Sequence, residues 1–303
     1  MKNKVVIIGC GNVGMSYAYA LLNQKTYVNE LVLIDLNYEK TVGEAMDLNH
    51  GLAFAPSHII TRAGTYEDCN DAKIVVIAAG ANQKENETRM DLIHKNSAIF
   101  HTIINEVMKS GFKGIFIIAT NPVDVLTYQT WKYSKLDHKR VIGTGTTLDT
   151  ARLRYEISQK IKINPKNVHA YVLGEHGDSE FVSWNTATIG ACNINEYLSD
   201  KSKNEIEENV RNAAYDIISK KGNTSYGIGM SLTRITNAIL GDENTILTVS
   251  SYDEENDVFI GSPTIIDKHG ASEKMKINLS SEEQKKYNES IEILKNAIEK
   301  IKN

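Results

Sequence analysis

The chain has 303 residues, 41% hydrophobic and 24% charged, with 34 Lys and Arg against 38 Asp and Glu for a formal net charge of −4. That length buries a large core in one or two domains, and a slightly acidic balance with no basic stripe leaves no electrostatic footprint for nucleic acid. The three cysteines, Cys10, Cys69 and Cys192, form no CxxC pair, so neither a disulfide framework nor a metal site is expected. Met-Lys-Asn-Lys leads into only four apolar residues before Gly9, too few for a signal peptide. No stretch approaches the ~20 apolar residues of a membrane span, and a cytoplasmic chain is expected.

Val5–Ile8 is a continuous apolar run, the pattern of a strand buried on both faces. It runs into Gly9-Cys-Gly11-Asn-Val13-Gly14 and then into Met15–Gln24, which reads as helix. The glycines serve a tight turn, close approach to a pyrophosphate and close helix–strand packing, with a helix N-terminus facing the anion. A second apolar run ends in Asp35, 21 residues past Gly14, where a carboxylate accepts from a ribose diol and repels a 2′-phosphate. That favours NAD over NADP. Further buried strands are expected at Ile74–Ala78 and Gly114–Ala119, with a helix at Ile93–Ser110 closed by Gly111. Alternating strands and helices imply a parallel sheet with its ligands at the strands' carboxyl ends. The polar stretch Gly80–Arg89 falls there and reads as a lid. So does Thr120-Asn121-Pro122, which predicts Asn121 as N-cap and Pro122 as the first helical residue.

From about Val141–Thr144 the βα alternation fades, which places a soft boundary there. Leu148–Arg154 opens a helix on which Asp149 and Arg152 share a face. Arg154, two residues beyond Arg152 and so about 200° around, serves another surface. The alternating run Val168–Leu173 reads as one strand delivering His176, in Leu-Gly-Glu-His-Gly-Asp-Ser, at its end. Histidine suits proton transfer near neutrality, Glu175 and Asp178 flank it, and Asp149 is placed to orient it while Arg152 grips a carboxylate. Thr224 precedes a helix at Tyr226–Leu240 as an N-cap or turn residue. Antiparallel strands are expected at 245–249 and 258–266, and a packing helix at Ser281–Lys302 with a stripe of Ile291, Leu294, Ile298 and Ile301.

With GxGxxG, Asp35, GANQ…ETR, TNPVDV, LDTARLR and LGEHGDSE in order, the chain resembles the bacterial L-lactate dehydrogenases of the lactate/malate dehydrogenase superfamily from Lys4 to near its C-terminus. The resemblance implies an α/β fold: a Rossmann-type NAD-binding domain over 1–143, then an α+β substrate-binding, catalytic domain over 144–303. It implies a cytoplasmic, glycolytic and fermentative homotetramer that interconverts pyruvate and L-lactate with NAD. His176 is then the acid and base, paired with Asp149. Arg152 binds the substrate carboxylate, Arg89 polarises the carbonyl, Asn121 contacts substrate and nicotinamide, and Thr224 borders the substrate side chain. Gly9, Gly11, Val13, Gly14, Asp35, Lys40, Tyr66, Gly80, Ala81, Ala119, Thr120, Asn121 and Thr144 fall at cofactor positions.

Gln83 stands where the similar malate enzymes carry Arg; without a countercharge a second carboxylate is costly to desolvate, and pyruvate is favoured. Arg154 and His169 match the site at which many bacterial members respond to fructose 1,6-bisphosphate across a subunit interface. The family's lid reads Pro-Gly where this chain has Glu85-Asn86, which bears on loop closure and affinity. The competing readings are a broader or hydroxyisocaproate-like 2-hydroxy acid dehydrogenase, a malate dehydrogenase, and a non-catalytic NAD-binding protein.

Overall fold

A computed structural model describes residues 2–81 and 89–302, with side chains described for 2–81 and 92–301. The lid residues Gln83, Glu85 and Asn86 therefore lie outside the described residues, as does the side chain of Arg89.

The first half alternates regularly: β1 (Lys4–Ile8), α1 (Asn12–Leu22), β2 (Glu30–Ile34), α2 (Tyr38–His50), β3 (Ile60–Ala63), β4 (Ile74–Ile77), α3 (Arg89–Lys109), β5 (Ile115–Ile118), α4 (Val123–Ser134) and β6 (Val141–Gly143). These strands pair in parallel in the order β3-β2-β1-β4-β5-β6, the doubly wound dinucleotide-binding arrangement. The unbroken apolar runs follow from burial on both faces. Val6 and Ile8 of β1 pack with Phe100, Ile104 and Leu126 from α3 and α4. Val5 and Ile7 pack on the opposite face with Tyr17, Leu21 and Leu48 from α1 and α2.

The second half continues with α5 (Thr147–Ile161), β7 (Val168–His169), β8 (Val172–Leu173), β9 (Phe181–Val182), β10 (Thr188–Ile189), β11 (Cys192–Asn193), α6 (Asp200–Lys221), α7 (Tyr226–Leu240), β12 (Thr245–Asp253), β13 (Val258–Asp267), β14 (Gly270–Lys274) and α8 (Ser281–Lys302). The antiparallel β12–β14 do not form a sheet of their own. Ser250 of β12 bridges Gly143 of β6, extending the parallel sheet to nine strands. Ile291, Leu294 and Ile298 of α8 close the same core that α3 and α4 line. Among the described residues no helix is long and apolar enough to cross a membrane.

Three local expectations need correction. The helix after the glycines begins at Asn12, so Gly14 lies inside its first turn and Gly11 caps it. Pro122 does not open α4: its ψ of 113° is extended, so Pro122 is itself the N-cap and Val123 the first helical residue, which removes Asn121 from the capping role. The run Val168–Leu173 is not one strand. His169 pairs with Thr188 and Val172 with Val182, so the chain changes sheets at Ala170–Tyr171. Backbone hydrogen-bond partners chosen far along the chain decide that break, and alternation alone does not reveal it.

Candidate active site

The nucleotide-side residues sit where parallel strands end. Gly9 follows β1 at φ +103°, and a Cβ there would collide with the Ala79 backbone. A Cβ at Gly14 would collide with the Gly9 carbonyl, which accounts for the close packing of α1 on β1. Gly11 differs: a Cβ there meets nothing within 4 Å, so its open side is free for a ligand to approach. Asp35 caps the end of β2, accepting from the Cys10 amide at 2.7 Å and the Asn37 amide at 3.2 Å. Lys40 reaches back to the Cys10 carbonyl at 2.9 Å. Thr120 donates to the Ala79 carbonyl at 2.8 Å beside Gly80, the Thr144 amide donates to Ile118 at 2.9 Å, and Tyr66 packs against the core. An open glycine face at a helix N-terminus, with an acid one strand away, fits a dinucleotide carrying a free ribose diol.

The proton-bearing residues arrive from the other half. Asp149 stands in the first turn of α5, 1% exposed, and divides its two oxygens: Oδ2 lies 2.7 Å from His176 Nδ1, while Oδ1 accepts from Arg152 at 2.7 Å. His176 reaches this carboxylate because Gly174, at φ +97°, turns the chain after β8 and bridges Gly261 of β13. Behind it, buried Asp124 of α4 accepts the His176 backbone N–H at 2.8 Å and the Ser250 hydroxyl at 2.5 Å.

Charge follows from this geometry. Burial alone would push the imidazole down, but the Asp149 carboxylate at 2.7 Å, with Asp124 behind, outweighs it and holds His176 at about 9. Burial likewise opposes ionisation of Asp149, and the charges of His176 and Arg152 overcome it, keeping Asp149 below the usual carboxylate range. Burial pushes Asp124 up to about 6. Of the two acids adjacent in sequence, Glu175 accepts from Ser179 at 2.6 Å and Asp178 from Tyr215 at 3.1 Å.

One cleft of about 670 Å³ brings together Val13, Gly80, Ala81, Ala119, Thr120 and Asn121 with Asp149, Arg152 and His176. Thr224 is not among the residues lining it; Thr224 stands one place ahead of Ser225, the N-cap of α7. Arg154 points elsewhere, donating to the Ala170 carbonyl at 3.4 Å with its guanidinium 5.4 Å from the Tyr171 ring. His169 is exposed on β7. Sequence reasoning passed over Asp124, Glu180 and Arg211. The last two line the cleft, and the available signal was Glu180's place four residues past His176.

A dinucleotide fold whose cleft joins a buried histidine–carboxylate pair to an arginine is the arrangement of a nicotinamide-dependent dehydrogenase. The family model for the lactate/malate dehydrogenase NAD-binding domain matches residues 3–143, and that for the lactate/malate dehydrogenase alpha/beta C-terminal domain matches 146–303. The L-lactate dehydrogenase of Bacillus pumilus is 54% identical, covering 97% of this chain and 96% of the relative. That of Halalkalibacterium halodurans is 52% identical with the same coverage. Among solved structures, a lactate dehydrogenase enzyme from a Medee basin deep-sea metagenome library matches at TM-score 0.97 and 52% identity over 100% of both chains. The minor L-lactate dehydrogenase of Enterococcus mundtii in its ligands-bound form matches at 0.97 and 47%, over 99% of this chain and 98% of that one. The chain belongs to the lactate/malate dehydrogenase family, and NAD is its cofactor.

Proposed function

We propose that the chain is an L-lactate dehydrogenase, interconverting pyruvate and NADH with L-lactate and NAD. The observation that carries the reading is the 2.7 Å contact of His176 with Asp149 in a cleft shared with Arg152; the names of its relatives support it. When bound, NADH supplies the hydride for the carbonyl carbon, and Gly11 and Asp35 are the residues best placed to hold its pyrophosphate and ribose.

The protein's own groups do the rest. Asp149 faces Nδ1, so the transferable proton of His176 sits on Nε2. An imidazole held at about 9 is charged at neutrality; it donates to the carbonyl oxygen as negative charge develops there, and the neutral ring recovers the proton from lactate in reverse. Arg152 offers its guanidinium to the substrate carboxylate while Asp149 fixes its position. Arg89 is assigned to the carbonyl. Asn121 is assigned to substrate and nicotinamide. Gln83 is assigned to rejecting a second carboxylate, and Thr224 to the substrate's methyl side.

Arg154 and His169 form the proposed fructose 1,6-bisphosphate site, supported by Arg154 turning from the cleft toward the residue after His169. Assembly as a homotetramer is what the family resemblance implies; the apolar side chains left open on and after α2, Met46 at 54% and Phe54 at 93% exposure, support association with another subunit and not a number of them.

The test is the initial rate of NADH oxidation with pyruvate, oxaloacetate and 2-oxoisocaproate, each with and without the bisphosphate. Pyruvate is expected to lead by roughly a hundredfold, with its half-saturation lowered by the bisphosphate. A lead for oxaloacetate or the branched acid would refute the pocket reading, and identical saturation curves would refute the effector site.

A further inference from the structure

Glu180, the first residue before β9, is 7% exposed yet lines the substrate cleft. Its Oε2 lies 3.9 Å from His176 Nδ1, and one carboxylate oxygen each of Glu180 and Asp149 and one imidazole nitrogen fall within 4.8 Å of one another. Two buried carboxylates at such separation do not both ionise readily. Asp149 has the stronger claim to the negative charge, because His176 and Arg152 each satisfy one of its oxygens. Among the described residues no side-chain hydrogen bond reaches the Glu180 carboxyl; the nearest cation is His176 at 3.9 Å, already closer to Asp149, so an ionised Glu180 is only weakly compensated for its burial.

We propose that Glu180 is a positioning residue whose carboxyl stays protonated beside the Asp149–His176 pair. It thereby leaves the cleft's positive charge to an incoming carboxylate, and it closes the cleft to that anion when it ionises. The groups facing it are His176, Asp149 and Arg152, then Arg211 from α6, with Asp178 and Tyr215 along the same cleft and Asp124 behind the imidazole. Burial and the Asp149 charge push Glu180 up, against the pull of His176, Arg152 and Arg211, to about 9. Near neutrality the four-membered cluster at the imidazole carries Asp149 negative, His176 and Arg152 positive, and Glu180 neutral, one net positive charge to attract a monocarboxylate. One further negative charge there cancels the excess. The inference rests on the reading of His176 and Arg152 given above and adds a residue to it.

The test measures KM and kcat for pyruvate between about pH 6 and about pH 10, wild type against Glu180→Gln. Oxamate, a non-reacting isostere of pyruvate, is titrated into the enzyme–NADH complex in parallel. In the wild type two groups lose protons on the alkaline side, so KM and the oxamate Kd steepen toward roughly a hundredfold per pH unit. In Glu180→Gln only the imidazole titrates and the rise is about tenfold per unit. Superimposable slopes overturn the proposal. Should Glu180→Gln fail to fold, Arg211→Gln replaces it. Removing that cation moves the steep limb to higher pH, and an unmoved limb overturns the proposal as well. Oxamate separates the two claims: the expected slopes in oxamate binding without pyruvate turnover sink the proton-transfer reading and leave Glu180, whereas normal turnover with identical slopes does the reverse.

Discussion

Asp124 and His176 are 52 residues apart in sequence and joined by a 2.8 Å hydrogen bond from the histidine's backbone N–H to the buried carboxylate. Ser250 holds the other oxygen at 2.5 Å. The loop that presents the imidazole is therefore tied through α4 to β12, on the nine-stranded sheet. His176 and the glycine turn after β1 are thus carried by one sheet, the fixed geometry that transfer between two bound partners requires.

Burial raises Asp124 from 3.8 to about 6, so the folded state binds this proton more tightly than the unfolded chain. The sign follows. Its contribution to stability is fully present below about pH 4 and is lost as pH rises through about 6. Asp124→Asn removes that dependence. Relative to wild type, the variant should gain about 3 kcal/mol between those pH values, read from denaturant melts at each pH. A constant difference across the range would show that Asp124 is not the group that titrates.

Gly9 and Gly11 belong to one motif but do different work. Gly9→Ala puts a Cβ against the Ala79 backbone at φ +103°, and a loss of about 1–3 kcal/mol in thermal or denaturant melts is expected. Gly11 has φ −83°, and its Cβ would meet no protein atom within 4 Å. Gly11→Ala should leave the melt within about 0.5 kcal/mol of wild type while weakening NADH binding roughly tenfold or more. Unchanged NADH affinity in Gly11→Ala would mean that the cofactor does not pass over this face.

Arg152→Lys keeps the charge and loses the fork. With one guanidinium nitrogen on Asp149 at 2.7 Å, a lysine cannot hold both Asp149 and a substrate carboxylate in the same plane. KM for pyruvate should rise roughly a hundredfold, with NADH affinity changed far less. Equal losses for both ligands would point to a general collapse of the cleft.

Much of this was legible in sequence because it is local. Unbroken apolar runs marked strands covered on both faces, the glycines marked the cradle, and three-residue spacing put Asp149 and Arg152 on one face of α5. What escaped depends on partners distant in the chain. The split of 168–173 is decided by Thr188 and Val182, and the antiparallel extension of the sheet by a bridge from Ser250 to Gly143. Asp124 lies in the quoted TNPVDV motif, yet nothing in that motif shows that its carboxylate turns inward to a loop 52 residues later. Glu180 reads as an ordinary acidic residue until packing buries it beside another carboxylate.

The most direct test of the account is the pH profile of kcat/KM for pyruvate reduction in wild type and Asp149→Asn. Burial opposes the charged ring and Asp149 overcomes it, raising His176 from 6.5 to about 9. Protonated, reduction-competent enzyme should therefore persist through neutrality and decline only as pH passes about 9. The same interaction stabilises the fold fully below about 6.5 and is lost as pH rises through about 9. In Asp149→Asn the limb should move down by at least a unit and the rate at neutrality fall by roughly a hundredfold or more. A wild-type limb centred near 6.5, or one that Asp149→Asn leaves in place, would contradict the assignment of His176 and Asp149 as the proton-transfer pair.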